Sequence, residues 1–181
     1  IDILLDDRTA GNIRIYDDSE NAQGSEILGI PVVGAVDQVM PDFRKGLVDS
    51  AIIAVGSIMP RTALFEKFSR SGISFPNIVS KRAIVSESAR LGRGNVILPT
   101  VYIGPQVNIG DNNYFTTATT INHDTFVGSH CYFSTAVSIA GRVKIGNCIR
   151  FDTACCVTAD AIVEDESMIG PGHSFGPTRQ R

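Results

Sequence analysis

Residues 115–151 read FTTATT INHDTF VGSHCY FSTAVS IAGRVK IGNCIR F, with a large apolar residue at every sixth position: Phe115, Ile121, Val127, Phe133, Ile139, Ile145 and Phe151. Followed outward, the same register takes in Val85, Leu91, Ile97, Ile103 and Ile109 on one side and Val157, Val163, Ile169 and Phe175 on the other. Neither an amphipathic helix nor a half-buried strand has this period, so the segment is a solenoid. The residue after each anchor is mostly small, as at Gly92, Gly104, Gly110, Gly128, Ala140 and Gly146. The residue four after it is mostly compact or β-branched, as at Val101, Val107, Thr119, Thr125, Cys131 and Val137. Each hexapeptide thus offers two inward positions and a turn. Three of them close a triangular coil of about 18 residues, stacked on the next at the ~4.8 Å strand spacing.

Residues 1–80 lack the period and read as a small α/β domain, with residues 81–181 forming the solenoid. Ile3–Leu5 is expected as a short strand ending at Asp6, Asp7 and Arg8. Ile30–Val33 is a second strand, and Ala35–Phe43 is a helix. Val48–Val55 is expected as a buried parallel strand because its apolar run is unbroken. It leads through Gly56 and Ser57 to a helix opened by Pro60 and running to about Arg70, and Ile73–Ile78 is a last strand. The alternation has a Rossmann-like flavour, and ligands of such folds sit beyond the carboxyl ends of strands. That makes Asp6, Asp7, Arg8, Gly56, Ser57 and Arg61 candidate ligand contacts. No Gly-rich phosphate turn precedes Ile1, and the sequence stops at Arg181. Both ends are read as those of a truncated chain.

The net charge is −3, with no basic block, so a nucleic-acid partner is not expected. No apolar run approaches the ~18 residues of a membrane span. Cys131, Cys148, Cys155 and Cys156 form no CxxC pair and are read as reduced thiols of a cytoplasmic protein. Of the three histidines, His173 falls on a compact inward position and is read as structural. A zinc site would need converging imidazoles, which the spacing of His123 and His130 does not supply, so no metal is expected. His123 lies two residues after the anchor Ile121, at a coil corner, and points outward. An imidazole there suits proton removal at neutral pH, and the adjacent Asp124 can orient it. Eighteen residues on, Gly141 stacks over His123, and Ala159 follows in the same column. Small residues there let a flat ligand arm approach, and the Gly141 N–H can meet an oxyanion.

Several strings together resemble the NeuD/PglD-type bacterial sugar acetyltransferases, within the hexapeptide-repeat acyltransferases. They are Ile53-Ala54-Val55-Gly56 followed by Arg61, Asn77-Ile78-Val79, Ile121-Asn122-His123-Asp124, Ala140-Gly141-Arg142-Val143-Lys144-Ile145-Gly146 and Met168-Ile169-Gly170. The resemblance covers nearly the whole chain. It implies a left-handed parallel β-helix after a nucleotide-sugar-binding α/β domain, and a cytoplasmic homotrimer using acetyl-CoA. It implies His123 as general base, Asp124 as its partner and Gly141 as a thioester contact. It also implies a nucleotide-linked 4-amino-4,6-dideoxy sugar as acceptor. Where the family often has a second histidine lining the acetyl pocket, this chain has Tyr132. O-acetylation of a sialic acid or another sugar, and an inactive β-helix scaffold, are the alternatives.

Overall fold

The computed structural model describes residues 2–7 and 11–176. Its larger part is a prism of three parallel sheets, built of two-residue strands that repeat every six residues. The first wall has six strands from Ile78–Val79 to Met168–Ile169, and the second has six from Ile84–Val85 to Ser174–Phe175. The third has five, from Arg90–Leu91 to Ile162–Val163. Register is constant: Thr120 and Ile121 pair with Ser138 and Ile139, and every other rung steps by the same interval. A parallel β-helix is therefore the architecture of the repeat, with its ladder beginning at Ile78.

The anchors form the core. Ile97, Phe115, Ile121, Val127, Phe133 and Ile139 are fully buried in one continuous cluster. Phe115, Phe133 and Phe151 stack with ring centroids 4.6 Å apart at each step. Two features of the coil differ from the sequence reading. The backbone turns at the third residue after the anchors from Ile97 to Val163, where Gln106, Asp124, His130, Arg142 and their equivalents have φ between 56° and 65°. The small residue directly after an anchor has another cause: a Cβ on Gly110 or Gly128 would strike the carbonyl of the next coil. The compact position also carries a buried polar ladder. Asn95 accepts from the Asn113 N–H at 2.9 Å, and Asn113 from the Cys131 N–H at 2.8 Å. Their side-chain amides donate to the carbonyls of Gly110 and Gly128 at 2.9 Å. Each buried amide is thus satisfied, as an interior polar group must be.

The N-terminal part has its own cluster of Val39, Ile53, Phe65, Phe68, Ile73 and Phe75. Its sheet is small: β1 (Ile15–Tyr16), β2 (Glu26–Ile27) and β3 (Ile30–Gly34) in the order β1-β3-β2, with β1 and β3 parallel. A 3₁₀ turn at Val36–Gln38 leads into a short helix at Val39–Arg44, close to the expected helix. A helix at Ile58–Arg70 lies where Pro60 placed one, with Arg61, Phe65 and Phe68 inward. Three expected strands are absent, Ile73–Ile78 among them: it holds only the bridge at Ser74 before Ile78 opens the first rung of the coil. Asp2–Asp7 is a short helix, whose Leu4 and Leu5 line a cavity with Gly11-Asn12-Ile13 and Gly29-Ile30-Pro31. A short apolar run does not by periodicity separate strand from helix. Val48–Val55 forms no strand, and among the described residues its one ladder contact is the parallel bridge of Ser50 with Ser74. Only Ile53 of its apolar run is buried, because no strand among the described residues pairs with 52–55.

Candidate active site

His123 stands on the corner between the second and third walls, in the turn Asn122–Thr125, and both ends of that turn are pinned to the next coil. Asn122 Nδ2 donates to the Ile139 carbonyl at 2.8 Å, and Thr125 Oγ1 donates to the Ala140 carbonyl at 3.1 Å. The Asp124 N–H donates to Pro105 on the coil before (3.0 Å), and the Arg142 N–H donates to the His123 carbonyl (2.9 Å). The backbone carrying the imidazole is therefore fixed on every side, while the ring itself is half exposed.

The ring's geometry assigns its protons. His123 Nδ1 lies 2.8 Å from Asp124 Oδ2. A carboxylate only accepts, so the neutral ring carries its proton on Nδ1 and leaves the Nε2 lone pair free. Nε2 faces Gly141, where a Cβ would stand 2.6 Å from it. Any side chain at 141 would collide with the imidazole, so glycine at this position is a condition of the histidine's pose. Among the described residues the Gly141 N–H donates to no group, and Ala159 in the same column has no side-chain acceptor to offer it. A basic nitrogen and a free N–H donor thus sit side by side on a rigid corner. That pair can deprotonate a nucleophile and stabilise an oxyanion.

The structure brings His123, Asp124, Gly141 and Ala159 together and places the other expected residues elsewhere. Tyr132 is on the first wall, stacked on Tyr114 at 5.5 Å, with the Arg150 guanidinium 4.8 Å from its ring centre. Ser57 follows exposed Gly56 and holds the N-cap position of the Ile58–Arg70 helix without a side-chain capping bond. It lines a pocket of about 310 Å³ with Met59, Pro60, Cys148, Arg150, Glu166 and Met168. Arg61, expected at a ligand, is instead buried against the coil. Its Nη2 donates to the carbonyls of His130 (3.1 Å) and Cys131 (2.9 Å), and burial lowers its pKa. Phe65 packs edge-on to His130 beside it, at 5.6 Å. These contacts dock the helix on the corner between the third and first walls. The side chains of Asp6 and Asp7, and all of Arg8, lie outside the described residues. His173, expected inward, is exposed, and its Nδ1 lies 3.2 Å from the Pro171 carbonyl.

Asn122 and Thr125 escaped the sequence reading as supports of the site. Thr125 was visible only as a compact inward residue, and Asn122 had no signal beyond adjacency. Among the described residues no three His, Cys, Asp or Glu side chains gather to hold a metal ion. None of the described helices is long and apolar enough to cross a membrane.

No protein-family model matches the chain, and no curated protein matches it significantly. Solved structures do match. The acetyltransferase domain of PglB from Neisseria gonorrhoeae, solved with acetyl coenzyme A, superposes with a TM-score of 0.85 at 25% identity. That match covers 94% of this chain and 81% of the other. A histidine-to-asparagine variant of perosamine N-acetyltransferase from Caulobacter crescentus, solved with CoA and GDP-perosamine, gives 0.65 at 24% identity, covering 91% and 90%. WeeI from Acinetobacter baumannii gives 0.53 at 17%, covering 96% and 86%. The chain shares the fold of the hexapeptide-repeat β-helix acyltransferases, and it resembles sugar acetyltransferases along nearly its whole length.

Proposed function

We propose that the chain is an acetyl-CoA-dependent N-acetyltransferase acting on the amine of a nucleotide-linked 4-amino-4,6-dideoxy sugar. The carrying observation is the His123 corner, where Nε2 is free beside the unbonded Gly141 N–H and Asp124 holds the opposite ring nitrogen. The similarity to a domain solved with acetyl coenzyme A, and to an enzyme solved with CoA and GDP-perosamine, supports the donor and the class of acceptor. In the reaction the amine attacks the thioester carbonyl and its proton passes to His123 Nε2. The oxyanion meets the Gly141 N–H, the carbon–sulfur bond breaks, and the proton on Nε2 passes to the departing sulfur to release CoA as the thiol. No acyl-enzyme is required, since Cys131 and Cys155 are buried and their thiols are pushed up to about 12 and about 11, chiefly by burial.

The rest of the reading follows the same resemblance. Residues 1–80 bind the nucleotide sugar in a Rossmann-like manner, with Gly56 and Ser57 at its edge, and 81–181 form a left-handed transferase coil. Ala159 extends the small-residue groove for the CoA arm. A cytoplasmic homotrimer closes the open side of the corner. The test is thiol release from acetyl-CoA with a panel of UDP-, dTDP- and GDP-linked 4-amino sugars. Release with one of them, lowered roughly 10²–10⁴-fold in His123→Ala, is the expected result. A His123→Ala variant as fast as the parent overturns the mechanism. Release only with hydroxyl acceptors overturns N-acetylation.

A further inference from the structure

Asp124, Arg142 and Asp160 occupy the same corner position in three successive coils, with φ of 59°, 60° and 64°. Equal backbone geometry sets Arg142 one strand spacing, ~4.8 Å, from each of the two acidic residues. Its guanidinium goes wholly to one of them. Nε donates to Asp160 Oδ1 at 2.7 Å, and Nη2 donates to Asp160 Oδ2 at 2.9 Å. The other acid, Asp124, is left to accept from His123 Nδ1. The root of the Arg142 side chain is meanwhile held beside the histidine by its N–H bond to the His123 carbonyl. The attraction between Arg142 and Asp124 has not vanished. Hydrogen bonds and charge from Asp160 raise the Arg142 pKa, and the Asp124 charge adds to them. Among the described residues, the other charged groups on this corner and its adjoining strands are Glu87, Arg90 and Lys144, and none of them bonds His123.

We propose that Asp160 is a positioning residue for the histidine corner: by occupying both prongs of Arg142 it keeps the guanidinium off Asp124, and so reserves Asp124 for His123 Nδ1. A two-pronged guanidinium–carboxylate pair is stronger than a single imidazole–carboxylate bond. An Arg142 without Asp160 therefore turns to Asp124, the acid at the same position one coil earlier, whose charge already acts on it. His123 then loses the bond that fixes its tautomer and orientation, and Nε2 is no longer held as the bare nitrogen facing Gly141. The inference rests on the reading of His123 as the base, and its test is chosen to separate the two.

The experiment is ¹⁵N NMR of the His123 imidazole in the full chain, beside kcat and KM, for the parent, Asp160→Asn, Arg142→Gln and the double variant. All substituted side chains are at the surface, and melting curves confirm folding. The parent ring is expected with its neutral proton on Nδ1. Asp160→Asn is expected to lose that signature and to lower kcat about 10-fold with little change in KM. Arg142→Gln keeps the parental signature, and the double variant regains it together with kcat. A purely structural or long-range charge role for Asp160 would not move the tautomer. A parental signature in Asp160→Asn overturns the proposal, as does a double variant that fails to recover. If the signature and its rescue are seen but no acetyl group moves to any acceptor, the positioning role stands and the enzymatic reading falls.

Discussion

Two corners of the prism are made from the same repeat and do opposite things with it. At the corner between the third and first walls, side chains cap backbone across the coils. The Arg93 N–H donates to Asp111 Oδ1 (2.9 Å), Asp111 N–H to Ser129 Oγ (2.9 Å), Ser129 N–H to Asn147 Oδ1 (2.9 Å) and Asn147 N–H to Asp165 Oδ1 (2.8 Å). The corresponding column at the other corner reads Pro105, His123, Gly141, Ala159. Here the ladder is interrupted, since Gly141 and Ala159 carry no side-chain acceptor and the N–H groups of His123 and Gly141 meet no partner among the described residues. The corner proposed for acetyl transfer is one where the repeat leaves its own capping undone. The molecule tolerates the omission because the ladder on the neighbouring corner and the buried anchors hold the coil.

The comparison can be broken most severely with glycine. Gly141→Ala puts a Cβ into the space of the His123 ring, which is half exposed and able to swing. The expected outcome is a roughly 10²-fold fall in kcat with a nearly unchanged Tm, since a misplacement of about 1 Å costs that much. Gly128→Ala meets the Gly146 carbonyl, which cannot swing. It should cost about 1–3 kcal/mol of stability while the folded fraction keeps parental kcat. Calorimetry beside a thiol-release assay reads both, and equal effects on the two quantities would erase the distinction between the corners. A gentler test completes the interrupted ladder. Ala159→Ser sets a hydroxyl over the Gly141 N–H as Ser129 sets one over Asp111. It should lower kcat by about 10–10²-fold without lowering Tm. The reciprocal change, Ser129→Ala, removes one cap of the intact ladder. It should lower stability by about 1 kcal/mol, or about 2–4 °C in Tm, with kcat unchanged.

The smallest expected effect concerns the docking face of the ladder corner. Burial and then the Arg61 charge lower the His130 pKa, against weaker opposing effects of Glu66 and Asp111. Asn112 Nδ2 lies 2.9 Å from His130 Nδ1, and Phe65 covers the ring edge. A histidine held neutral in the fold but free to protonate when unfolded contributes nothing above the unfolded value of about 6.5. Below it, stability should fall with pH until the lowered folded pKa is passed. Melting temperatures from pH 7.5 to 5 should show this slope, and His130→Gln should flatten it. An unaltered slope in the variant would assign it to other groups.

Much of this was legible from the sequence because burial repeats visibly. Phe115, Ile121 and their successors must be apolar in every coil, and His123 was conspicuous as a titratable residue at a corner two after an anchor. The turn was misread for a physical reason. The left-handed position holds Ala118, Arg142 and Cys148 as readily as Asn112, because the two flanking strands impose it. Asn95 and Asn113 passed unnoticed because a polar residue at an inward position looks like a lapse until its two partners on adjacent coils are known. Val48–Val55 carried the composition of a buried strand, but composition does not supply a neighbour to pair with. The Arg61 and Asp160 roles depend on contacts between distant or stacked coils and have no local signature.

The Arg61 contact also sets a clock. Its carbonyl partner on Cys131 lies 70 positions further along the chain. At a synthesis rate of about 5–20 residues per second, the Ile58–Arg70 helix emerges about 4–14 s before that carbonyl exists. During that interval the guanidinium has no dry seat, and the side of Phe65 that meets the His130 ring is uncovered. The order of manufacture thus makes the N-terminal part a waiting partner, completed only when the third turn of the solenoid arrives beneath it.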